Sequence, residues 1–348
     1  MKQMLVAAAA LLGLASAQVT LTGAGATFPA PLYTEKYIPT FSKLANVKIN
    51  YQAVGSGGGQ RQLLDKVVQF AGSDAPLTDA QMKEYQDKTG SAVLHIPAAL
   101  GPVAITYNLP GVNELRLDAD TLAAIYLGKI VRWNDPRIAA LNPGVNLPRQ
   151  VISAVHRSDG SGTTYIFTAY LSAISAEWKS KVGQGTAVNW PAFSSLANRG
   201  NAGVAGLVQK SPGAVGYVEL AYALENNLPV ATLKNASGNF VKPSLASAKE
   251  AAEGVDLPKD LRLLNQVVNT KDPNGYPIVG MTWLLVFQKQ ELTAKSREQA
   301  KAVVDFLNWV VTDGQELNES LNYVRLSPKV VDQAKALIAT ITYNGQKL

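Results

Sequence analysis

Cysteine is absent from the 348 residues, which excludes a disulfide framework, a thiolate metal site and a thiol able to carry a lipid. Histidine is nearly absent, with only His95 and His156. A metal site or a histidine-activated nucleophile therefore has little to draw on. No HExxH pair, P-loop lysine or dinucleotide G-x-G-x-x-G is present; residues 55–59 miss the last because Gln60 takes its final position. Neither Ser56 nor Ser161 has the glycine spacing of a nucleophile elbow, since Val54 and Asp159 stand two residues before them. Basic residues come in ones and twos and not in runs interleaved with aromatics, so no nucleic-acid surface is expected. Long apolar runs able to span a bilayer are also missing. The stretch from Met4 to Leu14 falls short of the ~20 residues needed, and Lys2 before it with Ala15-Ser16-Ala17 after it fits an export signal over 1–17, leaving Gln18 as the mature start.

What remains is a chain of about 330 residues, enough for two domains at roughly 150 residues each. A hydrophobic content of 47% suffices for two cores, and the net charge of +6 is mild. Alternating apolar residues predict a strand over 19–25. A loop carrying Thr27 and Phe28 follows, then a helix on Leu32, Tyr33, Tyr37, Phe41 and Leu44 that Pro39 should kink or interrupt. The design repeats with a strand over 47–54, the glycine-rich turn 55–59 with Ser56, and a helix marked by Leu63, Leu64, Val67 and Val68. A third loop, 72–77, carries Asp74 and precedes a short polar helix. The apolar run 93–107, broken by Pro97 and Gly101-Pro102, is too long for one strand and reads as the chain leaving one domain for another; 278–287 reads as the second passage. Near the end, Val303, Val304, Phe306, Leu307, Val310 and Val311 give one helix its apolar face, and Ser327 with Pro328 opens the last helix. Strands alternating with helices imply an α/β architecture with largely parallel sheets, in which ligands sit at the carboxyl ends of strands.

The loops fall at those ends. His156-Arg157-Ser158-Asp159-Gly160-Ser161-Gly162-Thr163-Thr164 joins a predicted strand over 151–155 to a helix bearing Tyr165, Phe167, Tyr170, Leu171 and Ile174. Asp159-Gly160 is turn chemistry, and Ser161 and Gly162 leave backbone N–H groups free at the helix start. The positive end of the helix, the hydroxyls of Ser161 and Thr163 and the forked donors of Arg157 can converge on one tetrahedral oxyanion; the same residues also fit an N-cap on a turn beside a surface arginine. Thr27, Phe28 and Ser56 stand before two further helices as donors, and Asp74 is the one carboxylate among them. Phosphate keeps a P–OH near neutral pH because its second ionisation lies near ~6 to 7, whereas sulfate has none. Asp74 therefore suits phosphate and repels sulfate, and a site built around a required hydroxyl rejects an analogue lacking it by roughly 10⁴ to 10⁵-fold. A solvated Asx-turn is the other reading of Asp74. His95, in an apolar strand, is expected in the core, as are the tryptophans.

Long ordered motifs narrow this further. Leu21-Thr22-Gly23-Ala24-Gly25-Ala26-Thr27-Phe28-Pro29-Ala30-Pro31, Val54-Gly55-Ser56-Gly57-Gly58, Ser73-Asp74-Ala75-Pro76-Leu77, Tyr126-Leu127-Gly128-Lys129-Ile130, Arg157-Ser158-Asp159-Gly160-Ser161-Gly162-Thr163 and Pro212-Gly213-Ala214-Val215-Gly216-Tyr217-Val218-Glu219 closely resemble the periplasmic phosphate-binding proteins of bacterial ABC phosphate importers. The resemblance implies a two-lobed periplasmic binding protein fold, each lobe a central, mainly parallel sheet flanked by helices, with two crossover hinge strands near 97–104 and 276–282. Lobe 1 would comprise 18–98 and 281–348, and lobe 2 would comprise 99–280. It implies phosphate contacts from Thr27, Phe28 (through its backbone N–H), Ser56, Asp74, Arg157, Ser161, Gly162 and Thr163, with Asp159 supporting Arg157. Gly57 stands where the family often has a second serine, and His156 replaces a more usual basic residue. The implied role is that of an exported, monomeric receptor. It would bind inorganic phosphate in the cleft, close by hinge motion and deliver the ion to the membrane permease, with no cofactor, no metal, no nucleic acid and no catalysis. The alternatives are a phosphate-ester hydrolase on the same fold and a receptor for sulfate or another oxyanion.

Overall fold

In the computed structural model, which describes residues 18–348, the loops just named hang from two sets of parallel strands. The export signal read over 1–17 lies outside the described residues. The strands in chain order are β1 (Thr20–Gly25), β2 (Lys48–Ala53), β3 (Phe70–Ser73), β4 (Val93–Tyr107), β5 (Arg116–Leu117), β6 (Ser153–Arg157), β7 (Ser195–Asn198), β8 (Ala214–Glu219), β9 (Thr232–Lys234), β10 (Phe240–Val241), β11 (Val267–Val268), β12 (Ile278–Phe287), β13 (Thr342–Tyr343) and β14 (Gln346–Lys347). The main sheet runs β2-β1-β3-β12-β4-β8-β6-β7, with β11 also paired to β12. Strand β1 lies parallel to β2 and β3, and β6 parallel to β7 and β8. The long strands between these sets are antiparallel to their neighbours, β12 to β3 and β4, and β4 to β8. The sheet is therefore mixed at its centre and parallel where it carries the loops. Strands β10, β9 and β5 form a small separate sheet, and β13 pairs with β14.

The apolar run 93–107 is one strand of 15 residues, every one buried, which corrects the expectation that it is too long for one. Two local devices allow it. Pro97 sits at a β-bulge, where the register shifts so that Thr282 faces Ala99 and Trp283 faces Pro97; a bulge tolerates a missing N–H. Pro102 sits where β4 changes partner, pairing with β12 up to that residue and with β8 from Val103 onward. One strand thus belongs to both halves of the sheet.

The helix that carries Pro39 is interrupted just before it, as the proline predicts. The chain widens into a π-helix over Leu32–Tyr37, with the Ile38 N–H bonding Tyr33 O, and runs on as the α-helix Ile38–Ala45. The wider turn relieves the crowding between the proline ring and the carbonyl of the preceding turn. Leu44 and Val67, assigned to apolar helix faces, are 69% and 62% exposed. The second of these helices, Ser56–Leu64, stops before Val67, and Lys66 has φ 60°. Strand β6 starts two residues later than predicted because Val151 makes only an isolated bridge to Arg132. Strand β7 is an edge strand with all four residues exposed and carries no apolar signal.

The helix Arg297–Val311 presses its apolar face on the N-terminal strands and on Phe41, with Phe41 and Phe306 rings 5.2 Å apart. On the other half, Phe167 stacks on Tyr217 at 4.5 Å, beside Tyr126 and Trp190. That packing fixes the helix Gly162–Ile174 against β8 and so sets where its N-terminus lies. Among the described residues no helix is long and apolar enough to cross a membrane.

Candidate functional site

Six loops meet at the carboxyl ends of the two parallel sets. Thr27, Ser56 and Asp74 follow β1, β2 and β3; Arg157 ends β6 and leads to Ser161, Gly162 and Thr163; Asn201 follows β7; and Glu219 ends β8. Ser56 is the first residue of the helix Ser56–Leu64, and Gly162 the first of Gly162–Ile174, whose N-cap Ser161 accepts the Thr164 N–H at 3.0 Å. Two helix N-termini therefore face each other, and the region is electropositive before any side chain is counted.

The loops from the two parallel sets touch one another. Ser56 Oγ accepts the Gly162 N–H at 3.1 Å and the Asp74 N–H at 3.2 Å. Gly57 N–H donates to Gly160 O at 3.0 Å. Gly162 must be glycine for this approach, because a Cβ there would lie 2.5 Å from Asp74 Cβ, Asp74 Oδ2 and Ser56 Oγ. Asn201 Nδ2 donates to Thr27 Oγ1 at 2.8 Å and to Thr163 Oγ1 at 3.1 Å. Tyr222 OH donates to Thr27 O at 2.6 Å. Phe28 is held by its carbonyl, which accepts Tyr323 OH at 2.7 Å, and by an edge-on contact between the two rings. A cavity of about 200 Å³ lies beside the cluster, lined by Thr27, Val54, Asp159, Arg199, Gly200 and Tyr222. A larger cavity of about 540 Å³ lies behind the crossing strands at Leu100, Met281 and Val330, and its walls are mostly apolar.

Arg157 is buried and bidentate to Asp159, with Nε to Oδ1 at 2.6 Å and Nη2 to Oδ2 at 2.5 Å. Burial pushes the Asp159 carboxyl up, but the bonds and charge of Arg157 and the Gly200 N–H outweigh it and hold it below the usual range. The remaining guanidinium nitrogen, Nη1, is buried without a hydrogen-bond partner among the described residues. A buried cationic donor left unpaired is costly, so Nη1 marks where an acceptor belongs. Asp74 is 1% exposed. Its Oδ1 accepts Thr282 Oγ1–H at 2.8 Å, and its Oδ2 has only Ser56 Oγ, at 3.4 Å. Burial pushes this carboxyl up to about 7, against the opposing pull of Thr282, the Arg157 charge and Ser56.

All the residues singled out by the sequence thus lie in this cluster or in direct contact with it. Neither histidine does. His95 is a core residue whose Nε2 accepts the Leu77 N–H at 3.0 Å, and burial holds it down to about 3; His156 stacks on Trp190 at 5.1 Å. The structure adds Thr282, Asn201, Glu219, Tyr222, Tyr323 and Tyr217, whose hydroxyl accepts the Arg157 N–H at 3.2 Å, to the cluster. Thr282 had a signal, as the one hydroxyl in the apolar run of β12; Asn201, in a helix of small residues, had none beyond its polarity.

The geometry has counterparts. A family model described as the PBP superfamily domain matches residues 13–313. The phosphate-binding protein PstS of Pasteurella multocida is 40% identical over 319 residues, covering 91% of this chain and 89% of that protein. The chain belongs to the PstS phosphate-binding protein family. A family member named in the same words from Methanocaldococcus jannaschii is 42% identical, covering 84% of this chain and 78% of its own length. The fold is that of the periplasmic binding proteins, as in the crystal structure of a phosphate-binding protein from Stenotrophomonas maltophilia. That structure has a TM-score of 0.69 at 21% identity and covers 92% of this chain and 94% of its own.

Proposed function

We propose that this chain is a periplasmic receptor for inorganic phosphate that hands the ion to an ABC-type permease, as the family's name implies. The observation that carries this reading is a buried carboxylate set among donors. Asp74 offers an acceptor to a P–OH, while Arg157 Nη1, the Phe28 N–H, the hydroxyls of Thr27, Ser56, Ser161 and Thr163 and, once it leaves Ser56 Oγ, the Gly162 N–H offer hydrogens to the ionised oxygens. Asp159 holds the guanidinium in place.

Thr27, Ser56 and Asp74 would belong to one lobe, 18–98 with 281–348, and Arg157 to Thr163 to the other, 99–280, with β4 and β12 as the two crossings. The contacts between the loops, Gly57 to Gly160 and Ser56 to Gly162, are those of a closed cleft, and an ion bonded to both sides favours that form. The chain is taken to be monomeric, exported with cleavage after Ala17, and non-catalytic. Ser56 and Ser161 each accept backbone N–H groups, and neither touches a histidine.

Calorimetric titration of the mature chain with phosphate and with sulfate tests the reading. Tight phosphate binding and no sulfate heat are expected. Arg157→Ala should weaken phosphate binding by at least about a hundredfold, and Asp74→Asn should narrow the preference, because an amide can donate to a fully ionised oxygen. A wild-type chain that binds sulfate as well as phosphate refutes the proposal.

A further inference from the structure

The two oxygens of Asp74 are treated differently. Oδ1 takes a short hydrogen bond from Thr282, while Oδ2 has only the long contact to Ser56 Oγ, a hydroxyl that already accepts two N–H groups. Thr282 is fully buried in β12. It stands at the bulge, where Ala98 has no partner across the ladder and its carbonyl is taken by Gln315 Nε2 at 2.9 Å. Bulges re-aim side chains. Trp283, the next residue, pairs with Ser73 of β3, and Asp74 follows Ser73 directly, so the antiparallel register of β12 on β3 brings the Thr282 hydroxyl to the carboxylate.

We propose that Thr282 sets the anion selectivity of the site by keeping Asp74 an ionised acceptor with Oδ2 turned toward the bound ion. This rests on the phosphate-receptor reading above. A hydroxyl that donates to a carboxylate favours its charged form, and among the groups opposing burial at Asp74 Thr282 stands first. The other titratable groups around Asp74 are Arg157 and the tyrosines Tyr33, Tyr51, Tyr222 and Tyr323. Burial holds all four tyrosines neutral, so the charge acting on Asp74 is that of Arg157, which is itself paired with the ionised Asp159. Without the Thr282 hydroxyl the buried carboxyl keeps its proton at neutral pH, and a neutral acid donates that proton to an unprotonated oxygen as readily as an amide does. Sulfate then becomes acceptable. An aspartate at this position is thus insufficient for selectivity unless something holds it deprotonated.

The test uses the full mature chain and the variants Thr282→Val and Thr282→Ser. Each is titrated with inorganic phosphate and with sulfate at pH 7.5, and the Asp74 carboxyl is followed by ¹³C NMR in ligand-free protein. Thr282→Val should bind phosphate about tenfold more weakly, bind sulfate measurably and show a higher Asp74 midpoint; Thr282→Ser should restore all three. An unchanged phosphate-to-sulfate ratio in Thr282→Val, or a serine variant that behaves like the valine one, overturns the assignment. Should the valine variant not fold, Thr282→Ala removes the same donor with less bulk and is judged on the same outcomes. Failure of the wild-type chain to prefer phosphate overturns the receptor reading itself, whereas a selective wild type beside an equally selective Thr282→Val overturns the role of Thr282 alone.

Discussion

Asp74 shows what a single buried carboxylate costs the fold. Its carboxyl rises from 3.8 to about 7 on burial, so the unfolded chain gives up this proton before the folded one does. Below about pH 4 the group is neutral in both states and imposes no penalty. Between roughly pH 4 and 7 the folded state loses up to about 4 kcal/mol, and the loss stays constant above. Asp74→Asn should therefore melt higher than wild type at pH 8 without ligand and no higher at pH 4; equal melting temperatures at both pH values would refute the assignment. The same titration makes the wild type tolerate sulfate better as pH falls through 7, a competition that calorimetry at pH 5.5 would detect. Asp74 and Arg157 were legible in the sequence because they stand among turn residues, where a charge between two apolar runs draws notice. Thr282 was hidden inside an apolar run, and only the register of β12 against β3 reveals that it points at the site.

At the level of elements, the helix start at Gly162 meets the loop after β3 with no room to spare. Alanine is a better helix former than glycine by roughly 1 kcal/mol, so Gly162→Ala leaves Gly162–Ile174 intact. Its methyl, however, would fall on Asp74 and Ser56. Unchanged melting without ligand and at least about hundredfold weaker phosphate binding are expected, and a variant that binds normally would show that these loops need not approach so closely. Helices with capping residues and strands ending in glycine-rich turns were readable from local chemistry. The length of β4 was not, because its continuity depends on two partners far away in sequence, β12 and β8. The edge strand β7 escaped for the opposite reason: it buries nothing.

Across the whole molecule, contacts outside the candidate anion site also join its two sides. Tyr323 OH has one hydrogen but lies 2.7 Å from Phe28 O and 3.0 Å from Glu219 Oε2. Glu219 is fully buried, and burial pushes its carboxyl well above the ordinary range. Tyr323 shares its one hydrogen between these two acceptors, Glu219 Oε2 also takes the Ala221 N–H at 2.9 Å, and the three groups form a bridge from β8 to the loop after β1. Tyr323→Phe removes the bridge without emptying the core, and stopped-flow release of phosphate should accelerate about tenfold; an unaltered release rate would show that the bridge does not restrain opening. The two long apolar strands β4 and β12 were visible in the sequence as apolar runs, but the groups bridging the two parallel sets were not, since Tyr323 and Glu219 lie 104 residues apart.

Strand β12 lies between β3 and β4, although it is made from residues 278–287. While the ribosome is still adding the first three quarters of the polypeptide, the neighbours of that central position have nothing between them. The sheet cannot zip up until the last stretch of translation. This order of synthesis holds back compaction of the central sheet until most of the chain exists.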